Sequence, residues 1–204
     1  MALNFCNNNS LSAITSIPAA ISGGSLNLIS TQTASSSSSL SFTSGIDSTY
    51  KEYIFKYINC HPSVNIPHWT FQGSTNAGSS FGVTITSTNF NAYHAENDSE
   101  AVIEYVAPGD LAQSTNYQRL LTEVNYSDDG SVSGALHLFE PSSTTFVKHF
   151  IATSQGMFGP TSNAYSWNQY VAGYFNTTSA IDAIDIKFSS GNIDSGVIKL
   201  YGVS

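Results

Sequence analysis

Five histidines, fourteen carboxylates and a crowd of aromatic rings are the side chains of this sequence that could do chemistry. His61, His68, His94, His137 and His149 form neither an HxH nor an HExxH pattern, so no zinc-protease spacing exists. His137 and His149 fall on two segments read as neighbouring strands. They could meet across a ladder and, with a carboxylate, hold a metal. Two polar positions on a solvent-facing hairpin are the commoner outcome. His94-Ala95-Glu96-Asn97-Asp98 alternates oxygen and nitrogen ligands, and Asp128-Asp129 adds carboxylates. A twelve-residue calcium loop with its closing Glu is absent. Glycoside hydrolysis needs two carboxylates roughly 5–10 Å apart, and scattered acids nominate no pair. The GxSxG elbow and Gly-rich phosphate loops are missing. The expectation is no enzyme, no metal and no cofactor. The sequons at Asn8, Asn97, Asn125 and Asn176 are what an Asn- and Ser-rich chain produces by chance.

Aromatic residues carry the remaining binding potential. Tyr165, Trp167, Tyr170 and Tyr174 crowd one segment, and exposed rings of this kind stack on sugars or anchor interfaces. Tyr165, Trp167 and Tyr170 are the ligand-binding candidates; alternate members filling a core is the competing reading.

Those side chains must be positioned by strands. The last forty residues read strand, turn, strand, turn, strand. In Ala183-Ile184-Asp185-Ile186-Lys187-Phe188, the residues Ile184, Ile186 and Phe188 take one face, and Asp185 and Lys187 the other. Upstream, Leu40–Thr43, Tyr50–Asn59, His68–Gln72, Gly82–Thr88, Tyr117–Val124, Val132–Phe139 and Thr145–Ala152 read as strands. Ser99–Val106 reads equally as a short helix or a strand. Asp128-Asp129-Gly130 is a hairpin-like turn. Nine or ten strands at turn intervals of roughly 8–15 residues predict an all-β fold: a two-sheet antiparallel β-sandwich, jelly-roll-like.

Residues 1–39 differ in composition, with Asn7-Asn8-Asn9-Ser10, Ser22-Gly23-Gly24-Ser25 and a Ser35–Ser39 run. They predict either an arm that orders against a partner through Leu11, Ile14, Ile17, Leu26 and Ile29, or an extra edge strand over Leu26–Thr33. The domain division that follows is an arm over 1–39 and one sandwich over 40–204.

Net charge is −8, with six Lys and Arg against fourteen Asp and Glu, and charged residues make up 10% of the 204. Phosphate neutralisation needs a basic patch, so no nucleic-acid partner is expected, nor an anionic membrane. A secretory leader and a membrane-spanning run are not evident. Cys6 and Cys60 are read as free, partly buried thiols.

Several segments together carry a resemblance. They are Asn8–Thr15, Ser30–Ser37, Ser41–Lys51, Leu136–Phe139, Pro141–Phe150, Ala172–Ala180, Ser189–Gly196 and the closing Ile198–Val203. With them the chain resembles a family of uncharacterised, virion-associated structural proteins of marine tailed phages, cyanophages and phages of ocean heterotrophic bacteria. The resemblance implies a capsid decoration or a tail- or fibre-associated protein, located in the virion and made in the host cytoplasm. It implies other virion proteins as partners and a homo-oligomer, by analogy a trimer. A host-surface glycan is the alternative ligand, and a glycan depolymerase the lower-ranked reading.

Overall fold

The computed structural model describes residues 26–125, 129–159 and 164–204. Twelve strands build two antiparallel sheets: β1 Leu26–Thr33, β2 Leu40–Phe42, β3 Glu52–Pro62, β4 Trp69–Ser74, β5 Ile85–Ala95, β6 Ala101–Tyr105, β7 Gln118–Leu121, β8 Val132–Phe139, β9 Lys148–Phe158, β10 Tyr165–Phe175, β11 Ala183–Phe188 and β12 Ile193–Val203. The larger sheet runs β1-β12-β3-β8-β9-β10-β5-β6 and the smaller β2-β11-β4-β7. Among the described residues no helix is long and apolar enough to cross a membrane.

Setting aside the pairs β5-β6 and β9-β10, eight strands remain in two sheets of four, β1-β12-β3-β8 over β2-β11-β4-β7. Every connection between those eight crosses from one sheet to the other except β4 to β7, which are neighbours in the smaller sheet; this is jelly-roll topology. The two extra hairpin pairs, inserted between β4 and β7 and between β8 and β11, extend one sheet only. That sheet therefore overhangs its partner.

The alternating patterns act as expected in the core. Tyr53, Phe55 and Tyr57 of β3 are buried, as are Ile184, Ile186 and Phe188 of β11. Aromatic rings bridge the sheets: Phe42 to Phe55 (5.3 Å), Tyr57 to Trp69 (5.7 Å) and Phe71 to Phe150 (5.0 Å). Towards the overhang the interior turns polar. The Gln169 amide donates to Asn89 Oδ1 (2.9 Å), and its carbonyl accepts from the Thr122 amide (2.8 Å). Gln118, also fully buried, accepts from the Ser87 hydroxyl (2.5 Å) and donates to the Gly109 carbonyl (2.8 Å).

Several expectations are corrected. Among the described residues the strands number twelve. Gly82–Thr88 becomes the longer and later β5, because Ser87, Asn89 and Asn91 point into the interior and hide the strand's apolar alternation. Ser99–Val106 is strand, β6. Tyr117–Val124 shortens to β7, and Thr145–Ala152 shifts to β9. β7 and β8, which flank the predicted turn, lie in different sheets and so form no hairpin; Asp128 itself lies outside the described residues. The division at residue 39 moves. Leu26–Thr33 is an edge strand of the larger sheet, paired with β12 from Leu26↔Val203 to Thr33↔Val197. Ile29 packs against the core. Leu11, Ile14, Ile17 and Cys6 lie outside the described residues.

Candidate functional site

The larger sheet's outer face comes first, because strand parity sends half of the aromatic residues there. Phe90, Ala92 and His94 of β5, Tyr170 and Ala172 of β10, His149 and Ile151 of β9, and Ile103 and Tyr105 of β6 share it. Phe90 and Tyr170 stack with centroids 5.0 Å apart and planes 12° apart, and both are exposed. Ile54, Tyr201 and Leu28 continue one row across to β1. Among the described residues no second layer covers this face.

The three aromatic candidates separate. Tyr170 lies on that outer face. Trp167 turns the other way and is half-buried, stacked on Tyr93 (4.6 Å, 7°) with Phe158 edge-on at 4.9 Å. Tyr165 completes this inner cluster, 5.8 Å from Tyr93. It also reaches a cleft of about 390 Å³ lined by His94, Glu96, Asp129, Gln155 and Ser166. There His94 meets Asp98 at 3.0 Å.

His137 and His149 are not brought together. His137 faces Ile151 across the ladder and holds Glu52 at 2.6 Å. His149 lies beside Tyr174, centroids 6.1 Å apart. Among the described residues no group of three His, Cys, Asp or Glu side chains could hold a metal ion.

A second site went unread in the sequence. On the outer face of the smaller sheet, Thr70 of β4 stands opposite Arg119 of β7 on one side and Lys187 of β11 on the other. With strands about 4.8 Å apart, the two cations rise about 10 Å from each other at their roots. His68, Tyr117, Asp110 and Ser189 complete a cleft of about 490 Å³. Its roof is the segment after β6, held down by Gln72 Nε2 donating to the Thr115 and Asn116 carbonyls (3.0 and 2.9 Å). Lys187 Nζ lies 4.2 Å from the Tyr117 ring centroid, a cation–π contact. The Tyr117 hydroxyl donates to Asp185 (2.9 Å), and burial followed by that carboxylate pushes the phenol's pKa up. His68 is held below its usual pKa by burial and then by Arg119. Arg119, the chain's sole arginine, is half-buried and finds no acceptor among the described residues. A guanidinium so placed can take a carboxylate or sulfate bidentately. Parity alone puts Arg119 outward, between inward Gln118 and Leu120. Only the topology brings residues 70, 119 and 187 together.

A scan against family models finds no match, and neither do searches among curated proteins and solved structures.

Proposed function

We propose that this chain is a non-enzymatic structural component of a tailed-phage virion, a capsid decoration or a tail- or fibre-associated protein. The observation carrying this reading is the uncovered outer face of the eight-stranded sheet, with Leu28, Phe90, Ile103, Tyr105, Ile151 and Tyr170 exposed on it. Aromatic and aliphatic side chains on a face of low charge suit a protein–protein contact. The family resemblance supplies the partner, other proteins of the particle. In this reading the chain ahead of Leu26 docks on the particle through Leu11, Ile14 and Ile17. The test is mass spectrometry of purified virions with copy number. Hundreds of copies per particle indicate capsid decoration, and a few to a few dozen indicate tail or fibre. Absence from the particle overturns the proposal. Incorporation should fall for Ile151→Asp, whose side chain lies outside the core.

The second reading, a host-surface glycan-binding module, is favoured by one observation, Arg119 beside Lys187 with no acceptor among the described residues. The glycan would be acidic, with carboxylate or sulfate groups. Titration calorimetry with a sulfated polysaccharide and its desulfated form is the check. Equal heats from both, or no loss on Arg119→Ala, would remove it.

A further inference from the structure

The eight-stranded sheet ends at β6, and the parity of that strand is readable from its flanks. The Val106 amide donates to the Asn89 carbonyl (2.8 Å), and the Ala95 amide donates to the Glu100 carbonyl (2.9 Å). These contacts bracket the register Phe90↔Tyr105 through His94↔Ala101. In an antiparallel ladder only alternate residues turn their N–H and C=O towards a given neighbour. Residues 100, 102, 104 and 106 turn theirs towards β5. Ala101, Ile103 and Tyr105 turn theirs outward, where no described residue meets them.

Proteins blunt such edges with Lys, Pro or a bulge. β6 has no Lys, Pro or bulge, and Glu104 is its one charge: its sequence is Ala-Val-Ile-Glu-Tyr and its register with β5 is unbroken. The opposite edge, β1, is interrupted by a register shift between Leu28 and Ser30. Ile103 is 78% exposed and Tyr105 56%.

We propose that two copies of this chain pair antiparallel through their β6 edges, about a two-fold axis at Ile103. The choice of a second copy as occupant follows from self-complementarity. Three outward-turned residues centred on Ile103 place Ile103 opposite its own copy and Ala101 opposite the partner's Tyr105. Each of the three then exchanges both backbone hydrogen bonds. A slip of one residue breaks the parity, and a slip of two leaves Tyr105 or Ala101 unpaired. Side chains agree with this register. Small Ala101 faces a large ring, and beside Ala101 the outer face has a hollow of about 470 Å³ lined by Ala92, Ala101, Ile103 and Asn168. The partner's Tyr105 arrives next to that hollow. On the other face Glu104 lies opposite the partner's Val102, so no two carboxylates are directly opposed. Glu100 and Glu104 of both copies still approach, and added salt should strengthen the pairing. The seam is short against the ~800 Å² per partner of a standard interface, so association is reversible and concentration-dependent. This proposal does not depend on a virion role.

Sedimentation velocity of the full-length protein over a concentration series tests it. The expected result is a monomer–dimer equilibrium that Ile103→Lys weakens at least ~tenfold, with circular dichroism unchanged. In a Cys6→Ser background, Ile103→Cys should form a disulfide-linked dimer on mild oxidation, because hydrogen-bonded pairs hold Cα atoms ~5.5 Å apart, within disulfide reach. Val102→Cys should not. A monomer at every concentration, a trimer, a dimer indifferent to Ile103→Lys, or cross-linking at Val102 in place of Ile103 would each overturn the pairing.

Discussion

Cys60 lies where two irregular strands meet. Asn59 adopts φ 49° and Gly196 φ +126°, and the register of β3 shifts around them against both β12 and β8. A Cβ on Gly196 would come within 2.6 Å of the Cys60 Cα, so the bulge admits only glycine there. Cys60 is free and fully buried, and burial pushes its thiol up to about 12. Thiolate is the reactive form. In a Cys6→Ser background, Cys60 should therefore resist a thiol reagent at pH 8 and react stoichiometrically only in denaturant. Prompt labelling of the native protein would contradict the burial. His68 makes an opposite case. Its Nδ1 accepts from the Glu123 amide (3.2 Å), which requires the neutral ring. Its folded pKa lies below the unfolded value of ~6.5. Below that value the unfolded chain takes up a proton that the fold refuses, so stability is fully present above it and declines on acidification. His68→Gln retains an acceptor but does not titrate. Denaturant midpoints at pH 7.5 and 5 should differ less in the variant than in the wild type. At this scale the sequence was legible wherever a side chain's role depended on its own strand. Asp185 and Lys187 turn outward, as alternation requires. The Arg119 row was illegible because its members come from three strands with no local signal of adjacency.

Elements were legible in proportion to how apolar their inward faces are. β3 and β11 announce themselves. β5 does not, because its inward positions include Ser87, Asn89 and Asn91, and a polar interior erases the period-two signal. The hydrogen-bonded layer that compensates makes a prediction. Gln169→Leu preserves bulk but strands the Asn89 Oδ1 and the Thr122 amide in the interior. Each lost partner costs about 1–3 kcal/mol, so the unfolding free energy should fall by about 2–6 kcal/mol. A neutral result would mean that water reaches the layer. β1 was ambiguous for another reason: the register shift between Leu28 and Ser30 moves its exposed positions from Leu26 and Leu28 to Thr31 and Thr33, which breaks the period-two signal, so it resembles linker. Its pairing with β12 predicts a contrast between truncations. A chain starting at Ser25 should keep the full-length melting temperature. One starting at Ser35 loses an edge strand and the Ile29 contact, worth about 2–3 kcal/mol, and should melt roughly 4–12 °C lower. Equal melting temperatures would make β1 dispensable.

At the scale of the whole molecule, two insertions turn a balanced jelly roll into an asymmetric one. One sheet has twice as many strands as the other, and the added strands β9, β10 and β5 bury their inner faces against β4, the chain after β7 and the segment after β6. Both β6 and the outer face belong to that wider sheet. The acidic balance keeps copies apart at long range, and the low charge of the uncovered face allows approach at short range. Raising ionic strength should therefore favour association and not disperse it, which light scattering at low and high salt would show.

β1 and β12 also set a schedule. β12 lies between β1 and β3 in the larger sheet, so neither of these earlier strands completes its ladder until β12 has been made. β1 pairs with no other described strand, so in a nascent chain it waits with both edges open while β2 to β11 are synthesised. A product terminated before Ile193 lacks the strand that joins β1 to the sheet and leaves one edge of β3 unpaired.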